Sequence, residues 1–219
     1  MPLAPATSAS LVDQAIDGMR ALLASGEWTV GTRIPPEPQL AASLGVSRNT
    51  VREAVKALAH VGVLEVRRGD GTYVAAVTEM RALMRRQAER VDLAHLLEVR
   101  HAIEVQATTL AAARRTDADL AVLDAIIARR RDAVVASDGP AFVDADVDFH
   151  VAVVATAHNP LLAELYDGLV ETLRASIDDP ADGSDTLAAE HDAVLEAIRS
   201  GDAPAAAVAA AELLDHVER

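Results

Sequence analysis

The chain contains no cysteine, which closes off both disulfides and thiolate metal sites and suits a reducing compartment. Aromatic residues make up only 2% of it. That is too few for the Phe/Tyr platform on which unpaired bases stack, so among nucleic acids the composition favours a duplex groove over a single strand. Residues 1–10 have neither a basic start nor an apolar run, and no apolar stretch reaches membrane-spanning length. The expectation is a cytoplasmic protein with no membrane partner.

Positive charge is also scarce: 20 Lys/Arg face 34 Asp/Glu, a formal net charge of -14 that disfavours a polyanionic partner. The shortage is uneven, however. Residues 1–78 hold seven basic and seven acidic side chains, so the whole deficit lies beyond them. Within 33–68 the balance reverses to six basic against three acidic, a local positive patch that includes Arg33.

What is abundant is apolar material, 51% of 219 residues, enough for one large or two ordinary domains. Helical spacing of Leu11, Ala15, Met19, Leu22 and Leu23 predicts a helix over about 9–25, ended by Gly26. A second helix is expected at 36–44, where Gly45 supplies a left-handed C-cap, and a third at 48–60, capped by Ser47. Short β-branched runs at 63–66 and 72–74 around Arg68-Gly69-Asp70-Gly71 read as a hairpin. Helices follow to the end, broken at Thr116-Asp117, Asp138-Gly139-Pro140, Asn159-Pro160, 178–184 and Gly201-Asp202. The fold class is therefore mostly α. A winged helix-turn-helix of three helices plus a β-hairpin wing occupies 1–77, and an antiparallel all-α bundle of six or seven helices occupies 78–219.

In that arrangement the third helix lies in the major groove. Arg48 and Arg52 stand one turn apart near its positive N-terminus, where they meet phosphate or guanine. Asn49 can pair with adenine, Ser47 and Thr50 can hold phosphate oxygens, and Arg67 and Arg68 at the wing can grip backbone or minor groove. Taken singly, these are also what a solvated helix face would show.

Pro35-Pro36-Glu37, Leu40-Ala41, the run from Leu44-Gly45-Val46-Ser47-Arg48-Asn49-Thr50-Val51-Arg52 to Glu53-Ala54, Leu58 and Gly69-Asp70-Gly71-Thr72-Tyr73-Val74 resemble the GntR family of transcriptional regulators. The resemblance implies operator contacts by Ser47, Arg48, Asn49, Thr50 and Arg52, with Arg68 and Gly69 at the wing tip; Arg33 joins this set from the basic patch. Pro38 departs from it, standing where relatives often carry a polar or basic contact residue.

In the second part, Phe142, Asp146, Phe149, His150 and Val153 share one helical stripe, while Asp144 and Asp148 point elsewhere. A carboxylate among phenylalanines must be paired or bound to a cation. His150 offers a second ligand one turn on, His191 lies in the apolar stripe of the next-to-last helix, and His216 in the last helix is a candidate fourth donor, the alternatives being a site of three protein ligands or a member without metal. Asp with two or three His suits a divalent ion of the Zn or Ni kind, while a lone inward His is more often a satisfied core residue. Leu97-Glu98-Val99-Arg100 with Glu104, Asp146 with Phe149-His150, Asn159-Pro160-Leu161 and His191 resemble the FadR-type, or FCD, sensor domain. This resemblance implies Asp146, His150 and His191 as metal ligands, with the family's last His falling at Leu213 by spacing and His216 one turn beyond.

Arg100 has two readings: a clamp on an effector carboxylate, or an internal ion pair with Glu104. His60, His95, His101 and His158 read as surface or packing residues, and Arg129-Arg130-Arg131 as a solvated face. The functional expectation is a homodimeric, ligand-responsive repressor of double-stranded operator DNA, released by a small organic acid, and not an enzyme. A metal-dependent enzyme built on Asp146, His150 and His191, or a sequence-indifferent architectural DNA protein, are the alternatives.

Overall fold

The computed structural model describes residues 10–174 and 187–217. It divides into two compact units, residues 1–84 and 85–219, a few positions later than the expected division at 77/78. The expected break at 178–184 lies outside the described residues.

In the first unit, helix α1 (Leu11–Ala24) starts on a reciprocal cap: Ser10 Oγ accepts from the Asp13 N–H and the Asp13 carboxylate accepts from the Ser10 N–H, both at 3.1 Å. Helix α2 (Glu37–Leu44) begins at the Pro36-Glu37-Pro38 step and stops at Gly45, whose φ of +68° only glycine adopts without strain. Helix α3 (Arg48–His60) is capped by Ser47 Oγ, which accepts from the Thr50 N–H at 3.1 Å. All three lie within two residues of the ranges predicted. Strands β1 (Leu64–Arg67) and β2 (Gly71–Val74) pair antiparallel with Leu64 opposite Val74 and Arg67 opposite Gly71. The extended segment before α2 joins this wing, because Ile34 N–H donates to Thr72 O and Val74 N–H to Thr32 O, each at 2.9 Å. One core closes the unit: Met19 and Leu23 of α1 meet Val51, Val55 and Leu58 of α3, with Trp28, Val63 and Val74 at the edge. The inner stripe of α3 fixes its outer face, so Arg48, Asn49 and Arg52 are exposed.

Helix α4 (Glu79–Ala88) begins in the first unit, where Glu79 accepts from Arg20 at 2.6 Å. The second unit is α5 (Leu93–Arg114), α6 (Asp117–Ala136), α7 (Gly139–Thr156), α8 (Pro160–Asp167), the short α9 (Val170–Arg174), α10 (Ala188–Ser200) and α11 (Ala203–Val217). Thr116, Asp138 and Asn159 cap the helices that follow them, as the sequence breaks predict. Two-residue turns join α5 to α6, α6 to α7 and α10 to α11; α6 packs on α7, α10 on α11, and α5 against α7 and α11. The Arg115 guanidinium holds two helix ends together, donating to the carbonyls of Ala112 at 3.0 Å and Arg199 at 3.0 Å. The core is Ala111 from α5, Leu123, Ile126 and Ile127 from α6, Phe149 and Val153 from α7, Val194, Leu195 and Ile198 from α10, and Leu213 from α11. Among the described residues no helix is long and apolar enough to cross a membrane.

Candidate functional site

Two constellations stand out, one in each unit. On the first, Ser47, Arg48, Asn49 and Arg52 are exposed along the start of α3, Thr50 is half-buried, and Arg68 and Gly69 are exposed at the wing tip. Arg33 is exposed beside the wing, its Nε crowding the place a Cβ on Gly71 would take. Arg52 donates to Glu37 at 3.0 Å while remaining 53% exposed, so it is paired but still at the surface. Arg67 is likewise tied to Glu65 at 3.0 Å and lies over the Tyr73 ring. Arg48 and Arg68 make no ion pair among the described residues, which leaves an open cation at the capped helix end and another at the wing tip.

In the second unit α7 presents Asp146 and His150 inward, and α10 brings His191 to them; the three are 6%, 3% and 1% exposed. Asp144 and Asp148 point outward to Arg174 and Arg129, as the helical stripe predicts. His191 Nε2 lies 3.1 Å from Asp146 Oδ1, and His150 Nε2 lies 3.7 Å from Asp146 Oδ2. One donor atom from each residue falls within 4.8 Å of the others, so a single cation can be shared by all three.

The outer nitrogens explain why the inner ones converge. His191 Nδ1 donates to the Leu187 carbonyl at 2.8 Å, since a carbonyl can only accept, and this leaves Nε2 facing Asp146. That Nε2 is buried and, although close to Oδ1, lacks hydrogen-bond geometry to any partner among the described residues. Asp146 Oδ1 already accepts from Arg130, so the orphaned atom for which a cation here would provide a partner is His191 Nε2. His150 Nδ1 is held by Glu104 Oε2 at 2.6 Å. A histidine whose outer nitrogen is fixed by a carboxylate or carbonyl is the arrangement that aims a ring at a metal. The donor set therefore fits a divalent ion of the Zn or Ni kind, with three protein ligands.

Glu104 is the hub of the outer layer, since its Oε1 also accepts from Arg100 Nε at 2.7 Å and from the Tyr166 hydroxyl at 2.6 Å. Burial alone would push its carboxyl up, but His150, Arg100 and Tyr166 outweigh this and hold it at about 2. Burial likewise pushes the Asp146 carboxyl up, and the facing His191 and His150 with Arg130 draw it well below the usual carboxylate range. Burial and the adjacent Glu104 charge push the Tyr166 phenol well above its ordinary value, so it stays a donor. A small cavity lies beside this network, lined by Arg100, Val147, His150, Tyr166, Val170 and Leu173. Both readings of Arg100 keep a footing: its Nε is spent on Glu104, yet its side chain lines the cavity.

Two expectations need correction. His216 does not join the group: the buried stripe of α11 runs through Ala206, Ala210, Leu213 and Leu214, which turns His216 outward to 46% exposure, 3.6 Å from Glu190. Leu213, the position of the family's last His, is apolar core. The other correction concerns Arg130, which is not on a solvated face. It is 3% exposed and donates from Nε to Asp146 Oδ1 at 2.8 Å. The spacing of Leu123, Ile126, Ile127 and Arg130 on one stripe was the available signal. Tyr166, one of only two tyrosines, carried no local signal at all.

Comparison with known proteins matches each unit to a family. Residues 11–74 match the gntR family of bacterial regulatory proteins and residues 95–216 match the FCD domain. The chain is similar to the putative L-lactate dehydrogenase operon regulatory protein of Escherichia coli K12, with 33% identity over 90% of this chain and 80% of that protein. It is similar to the HTH-type transcriptional regulator LutR of Bacillus subtilis 168, with 30% identity over 90% of this chain and 94% of that one. The galactonate operon transcriptional repressor of Escherichia coli K12 is 29% identical over 86% of this chain and 87% of its own length. Among solved structures, Streptococcus agalactiae GntR superimposes with a TM-score of 0.58 at 30% identity, covering 94% of this chain and 97% of that one. The relatives are regulators, which sets aside the metal-dependent enzyme. The chain belongs to the gntR family of bacterial regulatory proteins, as a DNA-binding, ligand-responsive transcriptional regulator whose second unit is an FCD domain.

Proposed function

We propose that the protein is a homodimeric repressor of the FadR subfamily, released from its operator by a small organic acid bound in the helical unit. The observation that carries the DNA-binding half is Arg48, exposed at the capped, positive start of α3 and in no ion pair among the described residues. Arg48 and Asn49 reach base edges, Ser47 and Thr50 take phosphate oxygens, and Arg33, Arg52, Arg68 and Gly69 settle on the backbone. Two copies match a pseudo-palindromic operator.

The effector half rests on the buried Asp146, His150 and His191. These three would hold a divalent cation, which would supply a Lewis-acid point for a carboxylate. Arg100 and Tyr166, lining the adjacent cavity, would orient the rest of the ligand. The relatives named for L-lactate dehydrogenase and galactonate operons point the same way, since lactate and galactonate are both small hydroxy acids. Effector and operator oppose each other through one coupling free energy, so DNA must weaken effector binding by the same factor. A gel shift on DNA from upstream of its own gene tests the reading; retardation unchanged by the Arg48→Ala, Arg52→Ala double substitution would refute the assigned recognition helix.

A further inference from the structure

Glu37, the first residue of α2, carries no DNA contact in the reading above, yet its carboxylate faces the recognition helix one turn into α3. Arg52 donates to Glu37 Oε2 from Nε at 3.2 Å and from Nη2 at 3.0 Å. Both donors lie on one edge of the guanidinium, so the carboxylate grips the group from the side and fixes its plane. The far edge, Nη1 with the outer hydrogen of Nη2, has no partner among the described residues and makes a fork for two phosphate oxygens. The carboxylate is itself well anchored. Prolines stand on both sides of it, Pro36 at φ -59° and Pro38, and their rings stiffen the backbone that carries it.

The pairing also sets the charge that DNA meets. Arg48 and Arg68 make no ion pair among the described residues and attract any duplex, since phosphate charge is the same on every sequence. Arg52 brings its own counter-charge, with the two side chains 53% and 35% exposed. At a distance the pair is neutral and adds little to the pull on an arbitrary duplex. A phosphate gains from Arg52 only within hydrogen-bond reach of the far edge, and then in one orientation.

We propose that Glu37 is a specificity-determining residue that acts through Arg52: it cancels the arginine's charge toward DNA at large and aims the free edge at one phosphate of the docked operator. Such a contact reads no base, but it forms only in the register that base contacts select. Glu37 is thus a positioning residue and not a DNA contact. This rests on the reading of Arg52 as a contact to DNA.

The test is fluorescence anisotropy of the full chain across a salt series on two labelled duplexes, one selected by the wild type from a random-sequence pool and one a scramble of it. Glu37→Gln should tighten binding to the scramble and steepen its salt dependence by about one counterion, because Arg52 is then free to meet any phosphate. The ratio of the two affinities should fall by about tenfold, the contribution of one hydrogen bond to a charged group. Glu53→Gln removes the same charge from α3, where Glu53 is paired with Lys56 at 2.9 Å, and should leave the ratio as it is. In an Arg52→Ala background E37Q should no longer move the ratio. Arg52→Lys keeps the charge without the planar fork, so it should lower the ratio as E37Q does, and it tests the proposal even where E37Q does not fold. A glutamate that merely braces α2 against α3 would weaken binding to both duplexes alike. E37Q with an unchanged ratio, E53Q with an equal fall, a further fall from E37Q on top of R52A, or R52K discriminating as the wild type does overturns the role of Glu37 while the recognition helix stands. Binding of the selected duplex unchanged by R52A overturns Arg52 as a contact and the proposal together, and a wild type that selects no sequence overturns both along with the operator reading.

Discussion

Replacing Glu104 by Gln removes one charge and nothing else of substance from the interior, and its cost can be worked out from three contacts. The carboxylate accepts from Arg100 at 2.7 Å, from Tyr166 at 2.6 Å and from His150 at 2.6 Å, and all these side chains are buried. A glutamine keeps one accepting oxygen and turns an amide donor toward donors that already point at it. Its heaviest consequence is the Arg100 guanidinium left buried without its counter-charge; breaking a buried ion pair from one side costs about 3–5 kcal/mol. For a chain of this size each kcal/mol moves the melting point by roughly 2–4 °C, so Glu104→Gln should lower it by something on the order of 10 °C. Far-ultraviolet circular dichroism of metal-free protein reads this directly. Tyr166→Phe removes a single hydroxyl donor to the same carboxylate and should cost only about 1.5–3 kcal/mol. Pairing Glu104→Gln with Arg100→Met should restore part of the loss, because the stranded charge goes with it. An E104Q protein melting within about 2 °C of the wild type, or a double variant no better than the single one, would refute the electrostatic hub.

Other perturbations separate the remaining parts. Arg48→Ala should cost about 1–3 kcal/mol of operator affinity if it reads a base, and should flatten the salt dependence by about one counterion if it holds phosphate; fluorescence anisotropy across a salt series distinguishes the two. Gly71→Ala should displace Arg33, whose Nε would clash with the new methyl group, and weaken DNA binding without affecting metal uptake. Gly201→Ala forces a side chain into a φ of +76° and against Arg115 at 2.9 Å, so it should destabilise the second unit by at least about 1–2 kcal/mol in thermal melts. His216→Ala should leave metal uptake unchanged by elemental analysis, whereas His191→Ala should abolish it.

How much of this could be read from the residues depends on how far apart the partners are. Caps and turns were legible because their chemistry is local: Ser47 before the third helix, Gly45 at a left-handed corner, the break at Thr116-Asp117. The inward pair Asp146 and His150 followed from helical period alone, and His191 from its apolar neighbours. The lining that aims those rings was not legible to the same degree. Glu104 reaches His150 across 46 positions and Tyr166 reaches Glu104 across 62, and no periodicity connects them. Arg130 was hidden by its identical neighbours, since charge composition says solvent while the stripe beginning at Leu123 says core. His216 was misplaced because counting turns from Leu213 ignores which side of α11 its leucines bury.

The coupling between the two units is tested most directly by the affinity for labelled upstream DNA, measured by anisotropy on metal-loaded protein with and without L-lactate or galactonate, in the wild type and in His191→Ala. One of these acids should weaken DNA binding by the wild type several-fold and leave the variant's binding unchanged. An acid that binds the helical unit without shifting DNA affinity, or that shifts it equally in the variant, would contradict the assignment of the Asp146, His150 and His191 site as the switch.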